Sequence, residues 1–211
     1  PYRRQRQMCI RDRKRDRLLA AIHGELSRVP VTELSVNRIV HEAGISRGSF
    51  YQYFRDRDDL VQYLLEYVDS CIHGFITAAA PACGGDPFEL LRRFLSSIRA
   101  FGDDPVNRAF CTNLLAHLRA NGGVQHCRSN AFSPEWIEGM FDRYFDRSRL
   151  NLVEPEDFKL MTELMQTVLQ GAVAALFMPG ADADALERAF DRKLLILQRG
   201  MLKKEAQADA C

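Results

Sequence analysis

No stretch of this chain is apolar for long enough to cross a bilayer. The longest run, Ala172–Met178, has seven residues, against the ~20 that a spanning helix needs. The N-terminus also lacks the hydrophobic region of a signal peptide, so a cytoplasmic protein with no membrane partner is expected. The six cysteines (Cys9, Cys71, Cys83, Cys111, Cys127 and Cys211) form no CxxC pair, which points to free thiols in a reducing compartment. Cys71, His73, His126 and Cys127 could be imagined around zinc, but their spacing gives it no support, and no metal is expected. None of the five histidines follows a glutamate by three residues, which removes the Glu-x-x-His pairs of di-iron bundles. GxGxxG, phosphate-loop, GxSxG and HExxH patterns are absent as well. Neither an enzyme nor a cofactor is expected.

Excess charge is missing too. Lys plus Arg is 29 and Asp plus Glu is 28, a net charge of +1 over 211 residues, which excludes a histone-like polycation. Residues 1–60 carry a net +5 and residues 61–211 a net −4. Most of that asymmetry comes from residues 1–13, PYRRQRQMCIRDR, which have five arginines, one aspartate and no apolar periodicity. They read as translated sequencing-adapter read-through or as a disordered basic arm tracking phosphates, and are set aside from the fold. Without them the formal charge is −3 and residues 14–60 are only +1.

What is present is helical periodicity, and an all-α fold is expected. Leu18, Leu19, Ile22, Leu26 and Val29 mark an amphipathic helix that Pro30 ends. Ser35 caps a stripe of Val36, Ile39, Val40 and Ala43, and Gly44 breaks it by taking the left-handed conformation. Ser46 caps a short helix, about Arg47–Tyr53, and Asp56 caps a helix through Leu60, Leu64, Val68 and Cys71. PACGGDP is a loop; helices over Pro87–Phe101, Pro105–Ala120 and Pro134–Phe145 follow, each with proline near its start. The last two helices are marked by Phe158 through Leu176 and by Leu186 through Met201.

Residues 35–54, SVNRIVHEAGISRGSFYQYF, have the logic of a helix-turn-helix. Ile39, Val40 and Ala43 must meet Ile45, Phe50 and Tyr53, with Gly44 at the tight turn. The second helix is too short, and too polar at Arg47, Gly48, Ser49 and Gln52, to serve well as core. It offers an arginine and hydroxyls of the kind that read base edges and phosphates. On these residues, and on Asp56-Arg57-Asp58-Asp59-Leu60, positions 14–72 resemble the DNA-binding domain of the TetR/AcrR family of bacterial transcriptional regulators. Departures are small. Val40 stands where alanine is commonest, Tyr53 where histidine is frequent and Arg57 where lysine is.

The resemblance implies a homodimeric, effector-released repressor of double-stranded DNA with a near-palindromic operator. The alternatives are an activator on the same scaffold, or a helical adaptor or enzyme with an incidental hairpin. The candidate DNA contacts are Ser35, Ser46, Arg47, Ser49, Tyr51, Tyr53 and Arg57, with Arg47 reading a base. Residues 73–205 would form a C-terminal domain that binds an unknown small-molecule effector and dimerises, and 206–211 a tail. Candidates for the effector pocket are Phe75, Phe94, Phe101, Phe110, Cys111, Asn113, His117, Trp136, Phe141, Met161, Met165 and Gln166. Candidates for the dimer interface are Phe158, Met161, Met165, Val168, Leu169, Ala172, Leu176, Leu186, Phe190, Leu194, Leu197 and Met201; an internal core face is the other reading of these stripes.

Overall fold

Leu18, Ile22 and Leu26 recur along one face of the first helix, α1 (Asp12–Leu26), and all three are buried. The computed structural model describes residues 12–121 and 133–203. The segment 1–11, with Cys9, lies outside the described residues, as do His126, Cys127 and Cys211. Pro30 ends the first run, and a 3-10 turn, Val31–Glu33, leads to Ser35. Ser35 then caps α2 (Val36–Ala43), whose Ile39, Val40 and Ala43 are buried. Gly44 adopts φ 62° and ψ 39° and returns its amide to the carbonyls of His41 and Val40. A side chain there would be strained in that left-handed backbone. Ser46 caps α3 (Arg47–Tyr53), and α4 (Arg57–Ala79) begins four residues later. Its start is held by Asp56, which accepts from the Asp59 amide at 2.8 Å, while the Asp59 carboxylate accepts from the Arg55 amide at 3.1 Å.

The described residues fall into two compact units. The first runs to Val68 and also takes the segment from Asp103. Helix α6 (Pro105–Ala120), capped by Asp104, therefore packs on α1 and on the Val31–Glu33 turn. Phe110, Leu114 and Leu118 enter the same core as Leu18, Ile22, Phe50 and Phe54. The Phe110 ring stacks on His23 at 4.5 Å, and the Asn113 amide donates to the Leu26 carbonyl at 2.7 Å. One buried carboxylate ties α1 to α2. Glu25 accepts from the Ser35 backbone amide at 3.1 Å and from Arg28 at 2.9 Å, and Arg38 lies 3.4 Å away. Arg28 reaches on to Glu42 at 2.7 Å.

The second unit holds residues 69–102 and those from 130 onward. Helix α5 (Pro87–Phe101), capped by Asp86, packs on α8 (Asp157–Leu176) and α9 (Ala183–Met201), which also pack on each other. Arg99 pairs with Asp184 and Glu187, and Arg92 lies 3.4 Å from Asp191, so ion pairs join α5 to α9. Helix α7 (Pro134–Tyr144) is capped by Ser133. Its Phe141 meets Phe145 and Phe158, each at 5.0 Å between ring centres. Among the described residues the only β-type pairing is an isolated antiparallel bridge between Leu150 and Leu202. The fold is all-α.

Replacing Glu25 with alanine removes an acceptor that the Ser35 amide cannot replace from within the core. The expected loss is ~1–3 kcal/mol in urea unfolding; Glu25→Gln, which keeps an acceptor oxygen, should lose less. His23 supplies a pH signature. Burial lowers its pKa from the ordinary 6.5, against a hydrogen bond to Asn107 and the charge of Asp104. The unfolded chain then takes up a proton that the folded chain refuses. Stability should therefore fall as pH drops below 6.5, and His23→Gln should flatten that part of the unfolding profile.

Candidate nucleic-acid interface and ligand cavity

The seven DNA-contact candidates gather around α2, α3 and the start of α4. The Ser35 hydroxyl accepts from the Arg38 amide at 3.4 Å, and the Ser46 hydroxyl from the Ser49 amide at 3.0 Å. The hydroxyls of Ser46 and Ser49 lie 2.9 Å apart, so much of their hydrogen-bonding capacity is spent on each other. Phe50 is buried and anchors α3, leaving Arg47, Gly48, Tyr51 and Gln52 exposed. The Arg47 guanidinium lies over the Tyr51 ring, 5.8 Å from its centre. Tyr51 is 49% exposed, whereas Tyr53 is half-buried against the core. Arg57 donates to the Thr32 carbonyl and so ties α4 to the turn before α2. Its guanidinium keeps further donors, since the group carries five N–H bonds.

Gly48 stands apart. A Cβ built on it would meet nothing nearer than the Ser46 hydroxyl at 3.9 Å. No contact within the chain requires a glycine there, and glycine costs helix stability. Asn37 and Arg38, exposed in the first turn of α2 beside Ser35, were not among the candidates. Their signal in the sequence was position alone, next to the capping serine.

A cavity of about 60 Å³ lies in the second unit. It is lined by Ile76 of α4; Pro87, Leu90, Leu91 and Phe94 of α5; Trp136, Ile137, Met140 and Phe141 of α7; Phe145; and Thr162, Met165, Gln166 and Leu169 of α8. Five sequence candidates are there: Phe94, Trp136, Phe141, Met165 and Gln166. Four are placed elsewhere. Phe110, Cys111, Asn113 and His117 belong to α6, which packs in the first unit because its apolar face meets α1. Burial there raises the Cys111 thiol to about 11. Phe101 is 43% exposed, Phe75 packs edge-on against Phe94, and Met161 is buried but does not line the space. The aliphatic lining residues were missed because Leu, Ile and Met at helical spacing look the same whether they face a core or a cavity.

The self-association candidates need a similar correction. Met161, Met165, Leu169, Ala172, Leu176, Phe190 and Leu194 are buried within their own unit and have almost no surface left for a second copy. Phe158, Val168, Leu186, Leu197 and Met201 are half-buried. The apolar side chains that α8 and α9 leave open are instead Leu160, Leu164 and Ile196, each more than half exposed. Leu160 and Leu164 continue through exposed Thr167 and Gly171 along one side of α8 at three- and four-residue spacing.

Among the described residues no helix is long and apolar enough to cross a membrane. Residues 18–64 match the family described as bacterial regulatory proteins, tetR family. No curated protein sequence matches the chain. A TetR-family transcriptional regulator from Pectobacterium atrosepticum is 20% identical, with a TM-score of 0.62 over 90% of this chain and 94% of its own. A TetR-family regulator from Agrobacterium tumefaciens is 23% identical, with a TM-score of 0.58 over 89% and 97%. A protein described as a γ-butyrolactone receptor is 19% identical, with a TM-score of 0.52 over 93% and 92%. At these identities the solved structures speak for the fold, and the match over residues 18–64 speaks for the family. Residues 18–64 thus match the N-terminal domain of the tetR family of bacterial regulatory proteins, and the chain has the all-α fold of solved TetR-family regulators.

Proposed function

We propose that this TetR-family regulator is a repressor that binds a near-palindromic operator as a homodimer and is released by a small-molecule effector. The observation that carries the DNA reading is the disposition of α3. Phe50 holds the helix in the core, and Arg47, Gly48, Tyr51 and Gln52 face outward. Arg47 is proposed to read a base, since arginine pairs bidentately with guanine in the major groove. Ser49 lies on the same helix, and Ser46 sets the start of the helix through its cap. Ser35, Tyr51, Tyr53 and Arg57 are proposed to hold phosphates, which fix register without reading sequence. A Cβ at Gly48 would have room within the chain, so its absence fits a backbone that DNA approaches closely.

Self-association through the exposed Leu160 and Leu164 of α8 and Ile196 of α9 would bury apolar surface now in water. A two-fold dimer then sets two reading heads about one DNA turn, ~34–36 Å, or a multiple of it, apart. The cavity beside Trp136 is the proposed effector site, and the likeness to a γ-butyrolactone receptor supports a small-molecule effector. Release works by population shift. The effector must bind more tightly to a conformation whose reading heads no longer match the operator.

Arg47→Ala, measured by titration on the operator and on a scrambled sequence, should lose ~1–3 kcal/mol on the operator and much less on the scramble. An equal loss on both would reassign Arg47 to a phosphate. Gly48→Ala should leave the fold intact or stabilise it by up to ~1 kcal/mol while weakening operator binding. Unchanged affinity would mean that DNA does not come close to that backbone.

A further inference from the structure

We propose that the cavity beside Trp136 selects an uncharged, predominantly apolar ligand that carries a single hydrogen-bonding group for Gln166. The inference rests on the reading of this cavity as the effector site and adds the chemical class of what it takes.

The lining dictates the class. All fourteen residues around the space lack an ionisable side chain. Most of the wall is aliphatic and aromatic, and only two lining residues, Thr162 and Gln166, have side chains that both donate and accept hydrogen bonds. The Thr162 hydroxyl donates to the Lys159 carbonyl at 2.8 Å, so its hydrogen is spent and it can only accept. Among the described residues the Gln166 side-chain amide has no hydrogen-bond partner, which leaves it the one group able both to donate to a ligand and to accept from it. A carboxylate or ammonium drawn into this space would leave water and meet no opposite charge. Such a transfer is strongly disfavoured unless the charge is paired. A neutral ester, ketone, lactone or amide loses far less, and its carbonyl can take the Gln166 N–H.

Size adds a second constraint. At about 60 Å³ the space is well below the ~150 Å³ of an apolar cavity that holds benzene. A ring-sized ligand must therefore widen it. The tilted and edge-on packing of Phe141 against Phe145 and Phe158 is what would have to give. Trp136, stacked on His73 at 4.3 Å between ring centres, lies in the wall and is the sole tryptophan of the chain. Its fluorescence consequently reports this site and no other.

The test titrates the full-length protein with four probes of similar shape, namely toluene, methyl benzoate, benzoate and benzylammonium, following Trp136 emission. Methyl benzoate should saturate the signal at a concentration ~30-fold or more below that needed by either ion. Gln166→Leu should weaken methyl benzoate by ~3–10-fold and leave toluene within about twofold. If benzoate or benzylammonium saturates the Trp136 signal as readily as methyl benzoate, the neutral class is overturned and the cavity stands as a ligand site. If Gln166→Leu weakens toluene and methyl benzoate equally, Gln166 is not the anchor. If no probe gives a saturable Trp136 response in protein shown to be folded by circular dichroism, the ligand class and the effector-site reading fail together.

Discussion

Glu25 lies in the interior near the end of α1, where an unpaired carboxylate would cost several kcal/mol. Its oxygens meet the Ser35 amide, Arg28 and Arg38. That satisfaction is possible only when the start of α2 is held against the end of α1. The Ser35 cap, the left-handed Gly44 and the Ser46 cap then follow in order along the chain. Each leaves the next helix little freedom, so the direction in which Arg47 points traces back to the partners of a group ten residues before Ser35. Breaking such a pairing is costly because the burial remains after the partner has gone.

The two units place their polarity differently. In the first, Arg47, Tyr51 and Gln52 are exposed over an apolar base of Phe50 and Phe54. In the second, charge is confined to the surface, where Arg92 and Arg99 of α5 meet acids of α9, and the space between α5, α7 and α8 is left almost wholly apolar. The near-zero net charge of the whole chain is the sum of these local arrangements. DNA contact by a short helix needs a few correctly held groups rather than a basic chain, which is why the overall balance of charge was uninformative.

Much of the first unit was legible in the sequence because its signals are local. Ser35, Ser46 and Asp56 each precede a helix and each accepts from an amide of its first turn. A capping residue acts within three or four positions, so spacing suffices to find it. The packing of Tyr53 against the core was legible, and so was the position of Arg57, but the engagement of Arg57 was not. Arg57 reaches the Thr32 carbonyl, a partner 25 residues away. The cavity was half legible: aromatic residues stood out, and the aliphatic wall did not.

The sequence by itself determined where the helices start and stop, which side of each is apolar, and that residues 35–54 form two helices around a glycine turn. Helical period and capping chemistry depend only on neighbours along the chain. Tertiary structure alone decided which apolar side meets which partner. It sent α6 to α1 rather than to the later helices, turned Met161, Met165 and Leu194 into their own unit, and left Leu160, Leu164 and Ile196 open. The hydrophobic effect is non-directional. An apolar stripe therefore states that it will be covered but not by what, and that choice is made when all the stripes compete for burial together.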